Sequence, residues 1–472
     1  MAALLPPGPP AYPGAVHLPE SPDTAGAATS PALLTDHYEL TMVRAALRSG
    51  VAHRRSVFEV FARRLPEGRR YGVVAGTGRL LAALERFRFG GPELEVLLAT
   101  GVVDQPTADW LAEYRFSGDV YGYAEGECYF PGSPILVVEA SFAEAVLLET
   151  LVLSVLNHDC AVAAAAARMV GAAGDRPCIE MGSRRTHEEA AVAAARAAYL
   201  SGFAATSNLA AGARHGIPTV GTSAHAFTLL HDSEAEAFAA QVATLSSATT
   251  LLVDTYDVAQ AVRTAVEVAG TDLGAVRLDS GDLLVQAREV REQLDSLGAR
   301  RTRITVTGDL DEYQIAALAA APVDGYGVGT KLVTGSGHPA AGLVYKLVAR
   351  AGSADPAAEL LPVAKRSVAK TSRGGRKYAV RRHSEDGVAQ AELVGLAAPT
   401  GSDRRQDGDR DLLVPLMLGG RMVAVSDAAD PAKSVAAARA QHAASRGALP
   451  PSAHQLSAGE PAIPTVYLGE QL

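Results

Sequence analysis

Between Cys178 and Lys331 the chain places seven short apolar runs, each ending in a cluster of small, polar or charged residues. In order, the clusters are GSRR (Gly182 to Arg185), SN (Ser207, Asn208), GTSAH (Gly221 to His225), DTYD (Asp254 to Asp257), RLDSGD (Arg277 to Asp282), TGDLD (Thr307 to Asp311) and GVGTK (Gly327 to Lys331). Ala-rich segments of helical length separate them, such as HEEAAVAAARAAYLSG and DLLVQAREVREQLDSLG. Strand, polar tip and helix in repetition predict an irregular, TIM-like α/β barrel with its chemistry at the rim of strand ends. Seven tips are clear where an ideal barrel has eight, and GLVYKLV is a candidate closing strand.

The rest of the chain sets the limits on this barrel. A length of 472 residues with 48% hydrophobic content suits more than one domain and a sizeable core. The net charge of −9 argues against a nucleic-acid or acidic-membrane binder, so a cationic site has to be local. Cys128, Cys160 and Cys178 have no metal-ligand or CxxC spacing, and a reducing cytoplasm is the expected compartment. The first residues, MAALLPPGPPAYPG, lack the basic and continuous apolar parts of a signal peptide. Residues 1–30 are expected to form a disordered arm, 31–140 an α+β domain, 141–345 the barrel, and 346–472 a strand-rich portion with a helical end and polar tail. The apolar segment AEAVLLETLVLSVLNHDCAVAAAAARMV is interrupted by Glu144, Glu149, Asn157, His158, Asp159 and Arg168, which predicts a buried helix pair rather than a membrane span.

Tip by tip, the residue types favour phosphate chemistry. Arg184 and Arg185 together suit bidentate binding of phosphate or carboxylate. GVGT offers consecutive backbone N–H groups without bulky side chains, and Gly308 with Asp309 adds a second such turn. His225 follows the small residues Gly221, Thr222, Ser223 and Ala224, which leave room for a bulky ligand. Asp254, at the next tip, is placed to hold one imidazole nitrogen and leave the other free. Asp279 and Asp282 suggest Mg²⁺ or ribose hydroxyls as partners, while N-capping is the plainer role for Asp282. Asn208 equally has the position of a helix cap.

TDHYELTM, FEVFARRLP with YGVVAGTG, EGECYFPGSPILVVE, EMGSRR, GTSAHAF, DTYD, VRLDSGD and GVGTKL, in that order from about Leu34 to Lys377, resemble nicotinate phosphoribosyltransferase. The resemblance implies a type II phosphoribosyltransferase fold, with a second domain assembled from the N- and C-terminal parts. It implies formation of nicotinate mononucleotide and pyrophosphate from nicotinate and phosphoribosyl pyrophosphate, with Mg²⁺ and with ATP as co-substrate. On the matching positions, His225 is the histidine that ATP phosphorylates transiently and Asp254 the acid that orients it. Arg184 and Arg277 hold phosphoribosyl and pyrophosphate groups, Asp279 lies near the ribose, and Gly308, Asp309, Gly329 and Thr330 form the phosphate turns. Tyr38 matches an aromatic that stacks on the pyridine ring from a neighbouring subunit, which implies a homodimer. Arg63, Lys370, Arg373 and Lys377 are candidates for the border of the same pocket. Asn208 stands where nicotinamide-using relatives carry an aspartate, and its neutral amide suits a carboxylate substrate. Nicotinamide phosphoribosyltransferase is the nearest alternative activity; quinolinate phosphoribosyltransferase lacks the phosphohistidine. A catalytically silent barrel that binds phosphorylated metabolites is the alternative of another class.

Overall fold

The computed structural model describes residues 30–365, 372–396, 408–423 and 431–468; the expected disordered arm up to residue 29, and Lys370, lie outside them. Six of the apolar runs form one parallel sheet. Its strands lie in the order Ala205–Thr206, Cys178–Glu180, Gly325–Val328, Arg303–Val306, Ala275–Leu278 and Thr250–Leu252. The remaining run contributes a single bridge, Thr219 beside Thr206. Helices such as Glu188–Leu200, Val258–Ala269 and Leu283–Ser296 connect the strands. Among the described residues no strand joins Thr219 to Thr250–Leu252, so the sheet curls without closing.

GLVYKLV does not close it. It belongs to the strand Leu343–Ala351, which runs antiparallel to Arg55–Ala62 with Val60 opposite Tyr345. Side-chain burial explains the choice. The Tyr345 ring stacks on Phe58 with centroids 4.8 Å apart, and its hydroxyl donates to the Ala145 carbonyl at 2.9 Å. This second sheet has seven strands, ordered Leu360–Pro362, Leu343–Ala351, Arg55–Ala62, Leu136–Ser141, Asp119–Gly122, Val414–Leu418 and Arg421–Met422. It therefore mixes strands from before and after the parallel sheet.

The expected buried helix pair is a five-residue helix, Phe142–Val146, followed by one long helix, Glu149–Ala173. The run Phe142–Ala173 is long and apolar enough to cross a bilayer, yet 67% of its most apolar window is buried within the protein. Its interrupting charges have internal partners. Asp159 accepts from Arg79 at 2.9 and 3.0 Å, and Arg168 donates to Glu312 at 2.9 Å.

A buried guanidinium fixes the C-terminal strands to the rest. Arg381, on Lys377–His383, donates to Glu127 at 2.8 Å and to Glu392, on Ala389–Leu396, at 2.6 Å. Tyr123 donates to Glu392 at 2.7 Å, and Arg410 to Glu127 at 2.9 Å. Burial opposes ionisation of Glu127, but Arg381 and Arg410 hold its carboxyl below the usual range. Replacing Arg381 by Met is expected to leave two buried carboxylates short of a cation and to destabilise the fold by about 3–5 kcal/mol. Denaturant unfolding of the two proteins checks this, and a loss under about 1 kcal/mol would contradict it.

Candidate active site

The carboxyl ends of the parallel strands open onto a cavity of about 310 Å³, which shares Met181, Arg184 and Arg277 with an adjoining one of about 840 Å³ that reaches down to the strands' amino ends at Pro177, Thr250, Arg303 and Asp324. The larger occupies the inside of the curled sheet. Filled barrels stack bulky branched side chains there, whereas here Thr250, Ala275, Thr305 and Gly325 line open space. Ser207, Thr222 and Ser223 line its mouth.

The smaller cavity is polar and brings together most of the expected phosphate site: Arg184, Arg277, Asp279, Gly308, Asp309, Gly329 and Thr330, with Arg185 and Thr307 beside them. Arg184 and Arg185 are exposed on the single turn Ser183–Arg185. Glycine is required at two points of this lining. Gly308 has φ 134°, where a side chain is strained, and a Cβ on Gly327 would meet Thr307 Cγ2 at 2.5 Å and Met181 Sδ at 2.8 Å. Burial lowers the pKa of Arg277, and the carboxylates of Asp279 and Asp254 offset part of that. Its Nε is buried without a hydrogen-bond partner in the chain. The Thr307 hydroxyl donates to Asp279 and fixes that carboxylate at the cavity wall.

His225 begins the helix His225–Leu230, one residue beyond Ala224 of the larger cavity. Its Nε2 stands 3.9 Å from Asp254 Oδ1, an ion-pair separation longer than a hydrogen bond. Its Nδ1 lies 3.1 Å from the Thr255 hydroxyl. Asp254 thus faces the ring as expected, while Thr255 occupies the nitrogen expected to be free. The other oxygen of Asp254 accepts from the Asp279 N–H at 2.9 Å and the Ser280 hydroxyl at 2.7 Å. Asp254 Oδ1 is buried and has no hydrogen bond among the described residues.

Other candidates fall elsewhere. Asp282 caps Leu283–Ser296 through the Val285 N–H at 3.2 Å and lines neither cavity. Asn208 caps Leu209–His215 through the Ala211 N–H at 2.9 Å, and its amide also donates to Ser183 at 3.0 Å. Tyr38 is 45% exposed on the helix His37–Arg48 and lines neither cavity. Arg63, Arg373 and Lys377 do not border the sheet's mouth in this chain; with Glu59 and Tyr467 they line a separate cavity of about 420 Å³. Lys377 is committed there, because the buried Glu59 carboxylate takes its ammonium at 2.8 Å.

One residue that sequence reasoning passed over is Glu180, fully buried at the end of its strand. It accepts from the Gly182 N–H and from the Thr206 hydroxyl, which in turn accepts from the Asn208 N–H at 2.9 Å. Burial raises its carboxyl, and those donors offset part of the rise. The acid just before the glycine turn of EMGSRR was the available signal. Thr255 and Ser280 were missed similarly, as neutral neighbours of the acids that drew attention.

Among the described residues no group of three or more His, Cys, Asp or Glu side chains forms a metal cage. Asp279 and Asp309, both exposed on the polar cavity, are oxygen donors that fit Mg²⁺ brought in on substrate phosphates.

Comparison with known proteins places these features. The model of the nicotinate phosphoribosyltransferase N-terminal domain matches residues 33–157, and that of the nicotinate phosphoribosyltransferase family matches residues 177–391. A nicotinate phosphoribosyltransferase of Mycobacterium tuberculosis, pncB1, is 58% identical over 456 residues, covering 95% of this chain and 96% of the relative. One from Bacillus subtilis is 40% identical over 326 residues, covering 67% of this chain and 66% of that one. The crystal structure of human nicotinic acid phosphoribosyltransferase superposes with a TM-score of 0.78 at 26% identity, over 93% of this chain and 98% of that one. The human structure shares the mixed α/β fold, and the sequence matches extend through both sheets and the polar rim, so the chain belongs to the nicotinate phosphoribosyltransferase family.

Proposed function

We propose that this chain forms nicotinate mononucleotide and pyrophosphate from nicotinate and phosphoribosyl pyrophosphate, and that ATP hydrolysis through a phosphohistidine at His225 drives the reaction. The observation that carries the reading is the polar cavity, where Arg184, Arg185 and Arg277 face two glycine turns beside the His225 and Asp254 pair. Breaking the C1–O bond of the sugar builds positive character at C1 and negative charge on the departing pyrophosphate. Guanidinium groups and turn N–H donors already in place stabilise that charge without reorganising. The pyridine nitrogen attacks C1 with its own lone pair, so no side chain has to remove a proton from it. His225, which lines neither cavity, is better placed to carry a phosphoryl group than to act as a base. Mg²⁺ held at Asp279 and Asp309 would neutralise phosphate charge.

Nicotinate is preferred to nicotinamide because Asn208, which lines neither cavity but donates to Ser183 of the larger one, adds no negative charge near the site. Tyr38 and, a few residues before it, Leu33 and Leu34 are large apolar side chains 45%, 45% and 62% exposed, which supports docking of a second copy at this part of the chain. In such a homodimer Tyr38 and the cavity of Arg63 and Arg373 would complete the neighbour's site. The chain is read as two units: a TIM-like parallel half and a second domain from the N- and C-terminal parts. Three buried, free cysteines suit a reducing cytoplasm.

Purified protein given phosphoribosyl pyrophosphate and Mg²⁺ is expected to make nicotinate mononucleotide, faster with ATP; turnover of nicotinamide instead would overturn the substrate assignment. His225→Ala and Asp254→Asn are each expected to abolish ATP stimulation, and a variant that retained it would refute the phosphohistidine. Asn208→Asp keeps an oxygen for the cap but adds a charge, so KM for nicotinate should rise about tenfold with little change in melting temperature. Steady-state kinetics and calorimetry on that variant test the effect of the added charge on substrate separately from the fold.

A further inference from the structure

Glu312 lies outside the cavities, 2% exposed, between two loops that line the phosphate site. It is the first residue of the helix Glu312–Ala317, which Asp311 caps through two N–H groups at 2.9 Å. Three residues earlier the same loop carries Asp309. One carboxylate oxygen accepts from Arg69 at 2.8 Å and from Arg168 at 2.9 Å. The other accepts from the Ser336 hydroxyl at 2.5 Å. Ser336 follows, by six residues, Thr330 of the second phosphate turn. Arg69 reaches across both loops, since its other amino group donates to the Gly335 carbonyl at 3.0 Å.

Two features separate this cluster from an ordinary fastening. Ser336 adopts φ 55° and ψ 46°, and among the described residues only Ser246 is another non-glycine with positive φ. A serine in the left-handed region persists only where its surroundings hold it, and the Glu312 carboxylate is what holds this side chain. Burial opposes ionisation of Glu312, but Ser336 and Arg69 hold its carboxyl down to about 2. The acid is therefore ionised whenever the protein is folded near neutral pH, and its hydrogen bonds with Arg69, Arg168 and Ser336 are charge-assisted.

We propose that Glu312, with Arg69, Arg168 and Ser336, is a positioning cluster that sets the distance between the Gly308–Asp309 turn and the Gly329–Thr330 turn, and thereby the affinity for phosphoribosyl pyrophosphate. The proposal rests on the substrate assignment above. None of these four residues lines the cavity, so they act through the turns. Nicotinate carries no phosphate for these turns to hold, so its own affinity is not set by them.

Three variants test it. Glu312→Gln keeps the shape and removes the charge, Ser336→Ala removes the hydroxyl and keeps the strained backbone, and Ser336→Gly removes the hydroxyl and relieves the strain. The Ser336 variants remain informative if Glu312→Gln fails to fold. The expected result for Ser336→Ala is a rise in KM for phosphoribosyl pyrophosphate of about three- to tenfold, with a matching loss in its calorimetric affinity measured without nicotinate. KM for nicotinate should change less than about twofold, and Ser336→Gly should not restore the affinity. An unchanged affinity for phosphoribosyl pyrophosphate in both Ser336 variants, equal changes in both KM values, or recovery in Ser336→Gly each overturns the proposal. Failure of the wild-type protein to bind phosphoribosyl pyrophosphate at all would instead sink the substrate assignment on which it rests.

Discussion

Buried charge pairs between distant segments determine how this chain assembles. Arg381 with Glu127, Lys377 with Glu59, and Arg69 with Glu312 each join residues more than 240 positions apart, and every member is at most 5% exposed. A desolvated charge without its partner is strongly unfavourable, so neither the early strands nor the late ones can settle alone. That requirement fastens the strand Lys377–His383, which carries both Lys377 and Arg381, onto the early strand Arg55–Ala62 through Glu59 and onto the segment that holds Glu127. Arg69 likewise brings the 66–70 segment onto the loops beside the polar cavity, so the charges that organise the fold also brace the site.

The site answers a related electrostatic problem. A chain of net charge −9 has to hold anionic ligands, and it does so by concentrating guanidinium groups at one rim. Arg277 is kept partly buried, where a charge acts through a lower dielectric, and nearby carboxylates keep it from being isolated. The carboxylates themselves are restrained: Thr307 ties Asp279, and the Asp279 N–H and Ser280 tie Asp254. Cations face the cavity while the acids are held in defined orientations.

Local sequence revealed what local physics decides. Strand ends, glycine turns and capping residues follow from patterns a few residues long, and most residues that line the polar cavity were legible in them. Long-range choices were not. GLVYKLV has the apolar run of a barrel strand, but its pairing with Arg55–Ala62, with Tyr345 stacked on Phe58 and bonded to Ala145, puts it in the antiparallel sheet. The basic residues Arg63, Arg373 and Lys377 looked alike in sequence, but the buried Glu59 that claims Lys377 is 318 residues away. Glu180 was hidden for another reason: a carboxylate satisfied by a backbone N–H and a hydroxyl has no charged partner to betray it.

The arrangement around Asp254 bears on how ATP could be coupled to the transfer. One of its oxygens faces the imidazole at 3.9 Å and has no other bond; the other holds the backbone and side chain of the loop that presents Asp279 to the polar cavity. A carboxylate cannot respond to new charge on one oxygen without changing what the other holds, because the group is rigid and its charge is shared. A phosphoryl group on His225 would therefore act on the Asp279 loop through a single side chain. Coupling between sites needs an element that both bias, and in the proposed mechanism the Asp254 carboxylate supplies it.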